Sequence, residues 1–116
     1  MKCIDKIRKY QLHDSMVIMI NNDVDNKLIE FDIELCNWMQ ENYSKDEPEF
    51  INGKIIFSGT SNYYHEPEVL EFDYDEILAI DAIADNPESG ETIKIVLRDN
   101  DVKVITFDAK DVEFKF

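Results

Sequence analysis

The stretch Lys27-Leu28-Ile29-Glu30-Phe31-Asp32-Ile33-Glu34-Leu35-Cys36 decides the fold class. Ile29, Phe31, Ile33 and Leu35 take one parity, and Glu30, Asp32 and Glu34 take the other. A period of two places these sets on opposite faces of a β-strand. Ten residues at about 3.4 Å each reach roughly 34 Å, long for a strand. One face is apolar enough to found a core, and the other is a row of carboxylates expected to face water.

Other segments follow the same logic. Lys2 to Tyr10 reads as a short helix or turn, with Ile4 and Ile7 one turn apart. Met16 to Ile20 is a short apolar run with little alternation, which suits a strand covered on both sides. Asn21 to Asn26 is a turn rich in Asn and Asp, closing a hairpin with the quoted stretch. Asn37 to Gln40 continues or bends that strand, and Glu41 to Pro48 is a polar loop. Asn52-Gly53 carries the type I′ turn signal, joining a short arm, Glu49 to Ile51, to Lys54 to Ser58. Gly59 to Pro67 reads as a loop holding Tyr63, Tyr64 and His65.

Val69 to Asp75 repeats the opening pattern, with Leu70, Phe72 and Tyr74 against Glu71, Asp73 and Asp75, and predicts a second acidic strand. Ile77, Ile80 and Ala84 fit a helical face, yet the segment lies between strands and is short, which favours a strand over 77–84. Turns at Asn86 to Gly90 and at Asp99-Asn100-Asp101 flank the alternating run Thr92 to Arg98. Val102 to Phe107 follows, and Val112, Phe114 and Phe116 end the chain on one parity. The result is a mainly β domain over residues 1–116, an antiparallel sandwich or partly open barrel of about 7–8 strands with a short N-terminal helix.

The chain of 116 residues has 26 acidic and 12 basic side chains, a formal charge of −14. That charge disfavours nucleic acid, whose binding needs Lys or Arg on phosphates, and anionic membrane surfaces. It speeds encounter with a basic protein partner. The N-terminus has charges at Lys2, Asp5, Lys6, Arg8 and Lys9 and no apolar core of a signal peptide, so a cytoplasmic location is expected. Cys3 and Cys36 read as buried thiols in that compartment.

Chemical motifs are sparse. His13-Asp14-Ser15 holds the side-chain types of a hydrolase triad, but adjacent residues cannot line up nucleophile, base and orienter. Asp14 or Ser15 bonding local backbone is the favoured reading. His13 and His65 are isolated, the Asp23-Val24-Asp25 and Asp99-Asn100-Asp101 runs lack the glycine and glutamate of a calcium loop, and no metal site or cofactor is expected. Gly53, Gly59 and Gly90 are too scattered for a phosphate loop. Trp38, Tyr63 and Tyr64 are candidate aromatic anchors for a partner, and at least one of the adjacent tyrosines should be exposed.

The string Tyr10-Gln11-Leu12-His13-Asp14-Ser15 before a strand, followed by Leu35-Cys36-Asn37-Trp38, resembles a group of small bacterial all-β proteins of undetermined function with an LHDS-type N-terminal motif. Related proteins with a His-Asp-Ser or similar motif are found among those assigned as immunity proteins of bacterial toxin systems. The resemblance implies a bacterial cytosolic protein with a binding role and transfers no catalytic residue. The leading expectation is a non-enzymatic protein-interaction domain, in its sharpest form an immunity-like inhibitor of a basic toxin. It would use Glu30, Asp32, Glu34, Glu71, Asp73 and Asp75 with Trp38, Tyr63 and Tyr64. The alternatives are a small-ligand β-barrel or enzyme of unknown chemistry, and a structural or oligomerising module such as a homodimer.

Overall fold

The computed structural model describes residues 2–72 and 74–116. After a short helix α1 (Cys3–Ile7) come β1 (Met16–Asp23) and β2 (Leu28–Cys36), a 3₁₀ turn at Asn37–Met39, then β3 (Phe50–Ser58) and β4 (Ser61–Glu66). β5 (Asp75–Asn86), β6 (Gly90–Arg98), β7 (Val102–Ala109) and β8 (Asp111–Lys115) complete the chain. The eight strands form one open antiparallel sheet in the order β4-β7-β6-β5-β1-β2-β3-β8.

Two sharp bends fold this sheet on itself. β3 and β4 are separated only by Gly59 and Thr60, and β7 and β8 only by Lys110. Both bent stretches pair with each other along their length, Lys54 opposite Lys115, Ser58 opposite Asp111, Ser61 opposite Asp108 and Glu66 opposite Val104. Strands that switch layers at a corner are the usual device of orthogonal β packing. Gly59 supplies the positive φ of 61° at the bend. The layers β1-β2-β3-β8 and β4-β7-β6-β5 thereby face each other. Phe57 of β3 meets Phe107 of β7 at 4.8 Å between ring centroids, and Phe31 of β2 lies 5.8 and 6.2 Å from these two. All three are fully buried with Ile29, Ile33, Leu35, Ile93, Leu97 and Ile105, each contributing about 1.5–3 kcal/mol.

On the far side the layers join where Met16 lies opposite Glu76 and Val17 opposite Asp75, extended by the Asp14 N–H donating to the Ile77 carbonyl and the Ile77 N–H to the Ser15 carbonyl. α1 packs against β8 and β5, where Cys3 and Ile7 enter the core. The helix has no capping side chain of its own. Glu91 of β6 supplies the cap instead, its carboxylate accepting from the Cys3 N–H at 2.5 Å and the Ile4 N–H at 3.2 Å. Burial and the adjacent Glu91 push the Cys3 thiol up to about 12, so it is an inert core group.

Several expectations change. Asn52-Gly53 lies inside β3, opposite Glu34 and Ile33, and is not a hairpin turn. The glycine is needed because a Cβ there would overlap the Phe116 ring and the Lys115 carbonyl. Residues 61–66 form β4, not a loop. Val69 to Asp75 is not a strand: its described residues up to Phe72 are irregular, and Asp75 already belongs to β5. Met16 to Ile20 is covered on one side, with Val17 buried and Met19 exposed. The strand over 77–84 and the N-terminal helix are as expected.

Replacing Glu91 by Ala leaves the first N–H groups of α1 without their acceptor. It is expected to cost about 1–3 kcal/mol in urea unfolding. An unchanged midpoint would show that the cap contributes nothing.

Candidate functional site

β2 presents Glu30, Asp32 and Glu34 on the outer side of its layer, as its alternation requires, but they are half-buried and not fully solvated. Register sets their neighbours. Met16 lies opposite Glu34 and Met19 opposite Asp32 on β1, while Ile56 lies opposite Glu30 and Lys54 opposite Asp32 on β3. Beyond β3, Glu113 stands opposite Ile56 and Asp111 opposite Ser58 on β8. Carboxylates of β2 and β8 therefore share one outer face, interspersed with Met19 and Ile56 and countered there by Lys54, Lys115 and, at Asp111, Lys6.

Lys54 ties part of this face together. Its ammonium is 3.2 Å from Glu30 Oε2 and 3.4 Å from Asp32 Oδ1, and these bonds raise its pKa. Asp32 Oδ1 is buried, and apart from this longer ion-pair contact it has no hydrogen bond. At one end of the β2–β3 ladder, the Asn37 and Trp38 N–H groups both donate to the Glu49 carbonyl. This brings Trp38, 51% exposed, to the same end as Phe50, 45% exposed and of the same parity as Asn52 and Lys54.

The other predicted residues do not join this face. Asp75 is fully buried in an ion pair with Lys103 at 2.5 Å, so it offers nothing to a partner. Glu71 is exposed on the irregular segment before β5, and Asp73 lies outside the described residues. Tyr63 and Tyr64 sit on β4, an edge strand of the opposite layer. Tyr64 is exposed and donates to Glu66 Oε1 at 2.6 Å, whereas Tyr63 is half-buried, and burial raises its pKa.

The outer side of that opposite layer has a different character. Glu66, Glu76, Asp81 and Asp108 stand there with Lys94 and Arg98 around Val96 and Val104, and Arg98 is paired with Glu76. Sequence reading missed Asp111, Glu113 and Phe50. The parity of Val112 and Phe114 carried the signal for the first two, since it sends Asp111 and Glu113 to the outer face.

His13-Asp14-Ser15 lies where β1 meets β5. Ser15 is buried, and its Oγ accepts the Cys36 N–H at 2.9 Å, a long-range bond to β2 in place of the local one expected. His13 Nδ1 faces Asp14 Oδ1 at 2.9 Å, so base and hydroxyl are not aligned for nucleophilic attack. A hydrogen bond with Glu76, reinforced by the charges of His13 and Arg98, holds Asp14 below its ordinary value against desolvation. Donor atoms of His13, Asp14 and Glu76 lie within 4.8 Å of one another and are the residues able to hold a cation, while Arg98 already stands 3.2 Å from Glu76.

Comparison with protein-family models, with curated proteins and with solved structures finds no match to this chain. Among the described residues no helix is long and apolar enough to cross a membrane.

The hydrogen bond from Lys6 at 2.5 Å, with that of the Val112 N–H, holds Asp111 below its ordinary range. A carboxylate with a depressed folded pKa adds stability above its unfolded value near about 4 and loses it as pH falls through the folded value. Lys6→Met should return the Asp111 titration, followed by carboxyl NMR, toward its ordinary midpoint. An unmoved midpoint would exclude Lys6 as the cause.

Proposed function

We propose that the chain is a non-enzymatic protein-interaction domain that docks the outer face of β1-β2-β3-β8 on a basic protein surface. The observation that carries this reading is the placement of Glu30, Asp32 and Glu34 beside Glu113 and Asp111 on one face. Met19, Ile56, Phe50 and Trp38 add apolar area among and beside these charges, the mixture that docking surfaces use for desolvated contact. Electrostatic attraction of this kind acts mainly on encounter rate and on choice of partner.

An immunity-like inhibitor of a basic bacterial toxin is the sharpest form of the proposal. That form rests on the resemblance of residues 10–15 and 35–38, whereas the face itself asks only for a cationic partner. The small-ligand alternative is weakened by Phe31, Phe57 and Phe107, which fill the space between the layers. Association by strand edges is weakened too. β8 lies against α1, and β4 is short and broken by a register shift before Tyr64.

Immobilised protein should retain a basic protein from bacterial lysate at low salt and release it as salt rises. The triple variant Glu30→Gln/Glu34→Gln/Glu113→Gln is expected to retain about tenfold less. Glu66→Gln/Asp81→Asn on the opposite layer should leave retention unchanged. Equal losses from both variants would mean that net charge, and not this face, governs capture.

A further inference from the structure

Residues 67–72 lead from β4 toward β5 without regular structure. Among the described residues this segment makes no backbone–backbone hydrogen bond outside the strands, so no ladder holds it. Side-chain contacts do, the first from His65 Nδ1, 2.8 Å from the Pro67 carbonyl oxygen. Leu70 and Phe72 are half-buried and pack on the core, while Val69 between them and β4 is 70% exposed. Lys103, on the inward parity of β7 with Ile105 and Phe107, reaches the segment from below.

The Lys103 ammonium donates to the Glu71 carbonyl and to Asp75 Oδ2, the latter at 2.5 Å, and lies 5.2 Å from the centroid of the Phe72 ring. Its side chain is 8% exposed and that of Asp75 is 0% exposed. One cation thus fastens the backbone and a ring of the segment to the first residue of β5. On the segment's outer side a groove separates Pro67, Val69 and Glu71 from Asp99 and Asp101 of the β6–β7 turn, with Lys103 at its floor.

We propose that residues 67–72 form a strap latched by Lys103, which opens at this end of the layers while the sheet stays folded. Opening exposes the buried ammonium and carboxylate to the groove. The strap suits this role because, among the described residues, its hold is a few side-chain contacts (Lys103, Leu70, Phe72 and, at its start, His65 Nδ1 at 2.8 Å from the Pro67 carbonyl oxygen). Elements of low local stability open apart from the core.

Removing Lys103 alone would leave the buried Asp75 carboxylate without this counter-charge and risk unfolding the whole chain, so both residues of the pair are replaced together. The test uses a Leu70→Cys background and a thiol reagent, with the buried native Cys3 and Cys36 as reporters of global unfolding. Adding Lys103→Met/Asp75→Leu is expected to speed labelling at position 70 about tenfold or more, with Cys3 and Cys36 still protected. An unchanged rate at position 70 would show that the packing of Phe72, not the latch, holds the strap and would overturn the proposal, and labelling of all three thiols together would overturn separate opening. A second measurement keeps Lys103 in place. At low urea, position 70 should react at a rate independent of denaturant; if its rate rises in parallel with Cys3 and Cys36, the strap opens only with the sheet and the proposal is wrong.

Discussion

Everything in this structure depends on the ladder that pairs residues 54–66 with residues 104–115. Each of its two stretches bends, one at Gly59 and one at Lys110, so the same pair of stretches contributes to both layers. Without the bends the sheet would leave one broad apolar face in water. With them Phe57 is carried onto Phe107, and the alternating residues of β2, β3, β6 and β7 close on each other. Most charged residues of the strands are then forced outward, with Asp75, Glu91 and Lys103 held on the buried parity.

How the charges divide follows from that geometry. Two of the N-terminal cations are engaged in surface ion pairs within the chain. Lys2 pairs with Asp85 and Lys6 with Asp111, fastening α1 over the gap between β5 and β8. The outer side of β1-β2-β3-β8 keeps the larger excess of carboxylates, while on that of β4-β7-β6-β5 Glu66, Glu76, Asp81 and Asp108 stand against Lys94 and Arg98. The larger carboxylate excess thus lies on the face that Glu30, Asp32 and Glu34 share with Glu113.

Strands with strict alternation were legible in the sequence, because a period of two is itself the burial pattern of a layer with one wet face. β2, β6 and β8 are of this kind. Asn52-Gly53 misled because its turn chemistry is also what a strand needs where a ring lies against its backbone, and only Phe116 reveals that. Val69 to Asp75 alternates as a strand does, yet Asp75 is drawn into the interior by Lys103. The visible clue was Lys103 itself, a lysine on the same parity as Ile105 and Phe107, which requires a buried counter-charge. The acidic face was half legible: Glu30, Asp32 and Glu34 could be read from β2, but their neighbours come from β8, whose position depends on the long-range ladder.

The most direct test of the account maps which side of the molecule a bound basic partner touches. Backbone amide NMR of the isotopically labelled protein, recorded free and with the retained partner at low salt, should show perturbations gathered on Met19, Glu30, Asp32, Glu34, Ile56 and Glu113. Perturbations gathered instead on Val96, Val104, Lys94 and Tyr64 would contradict it.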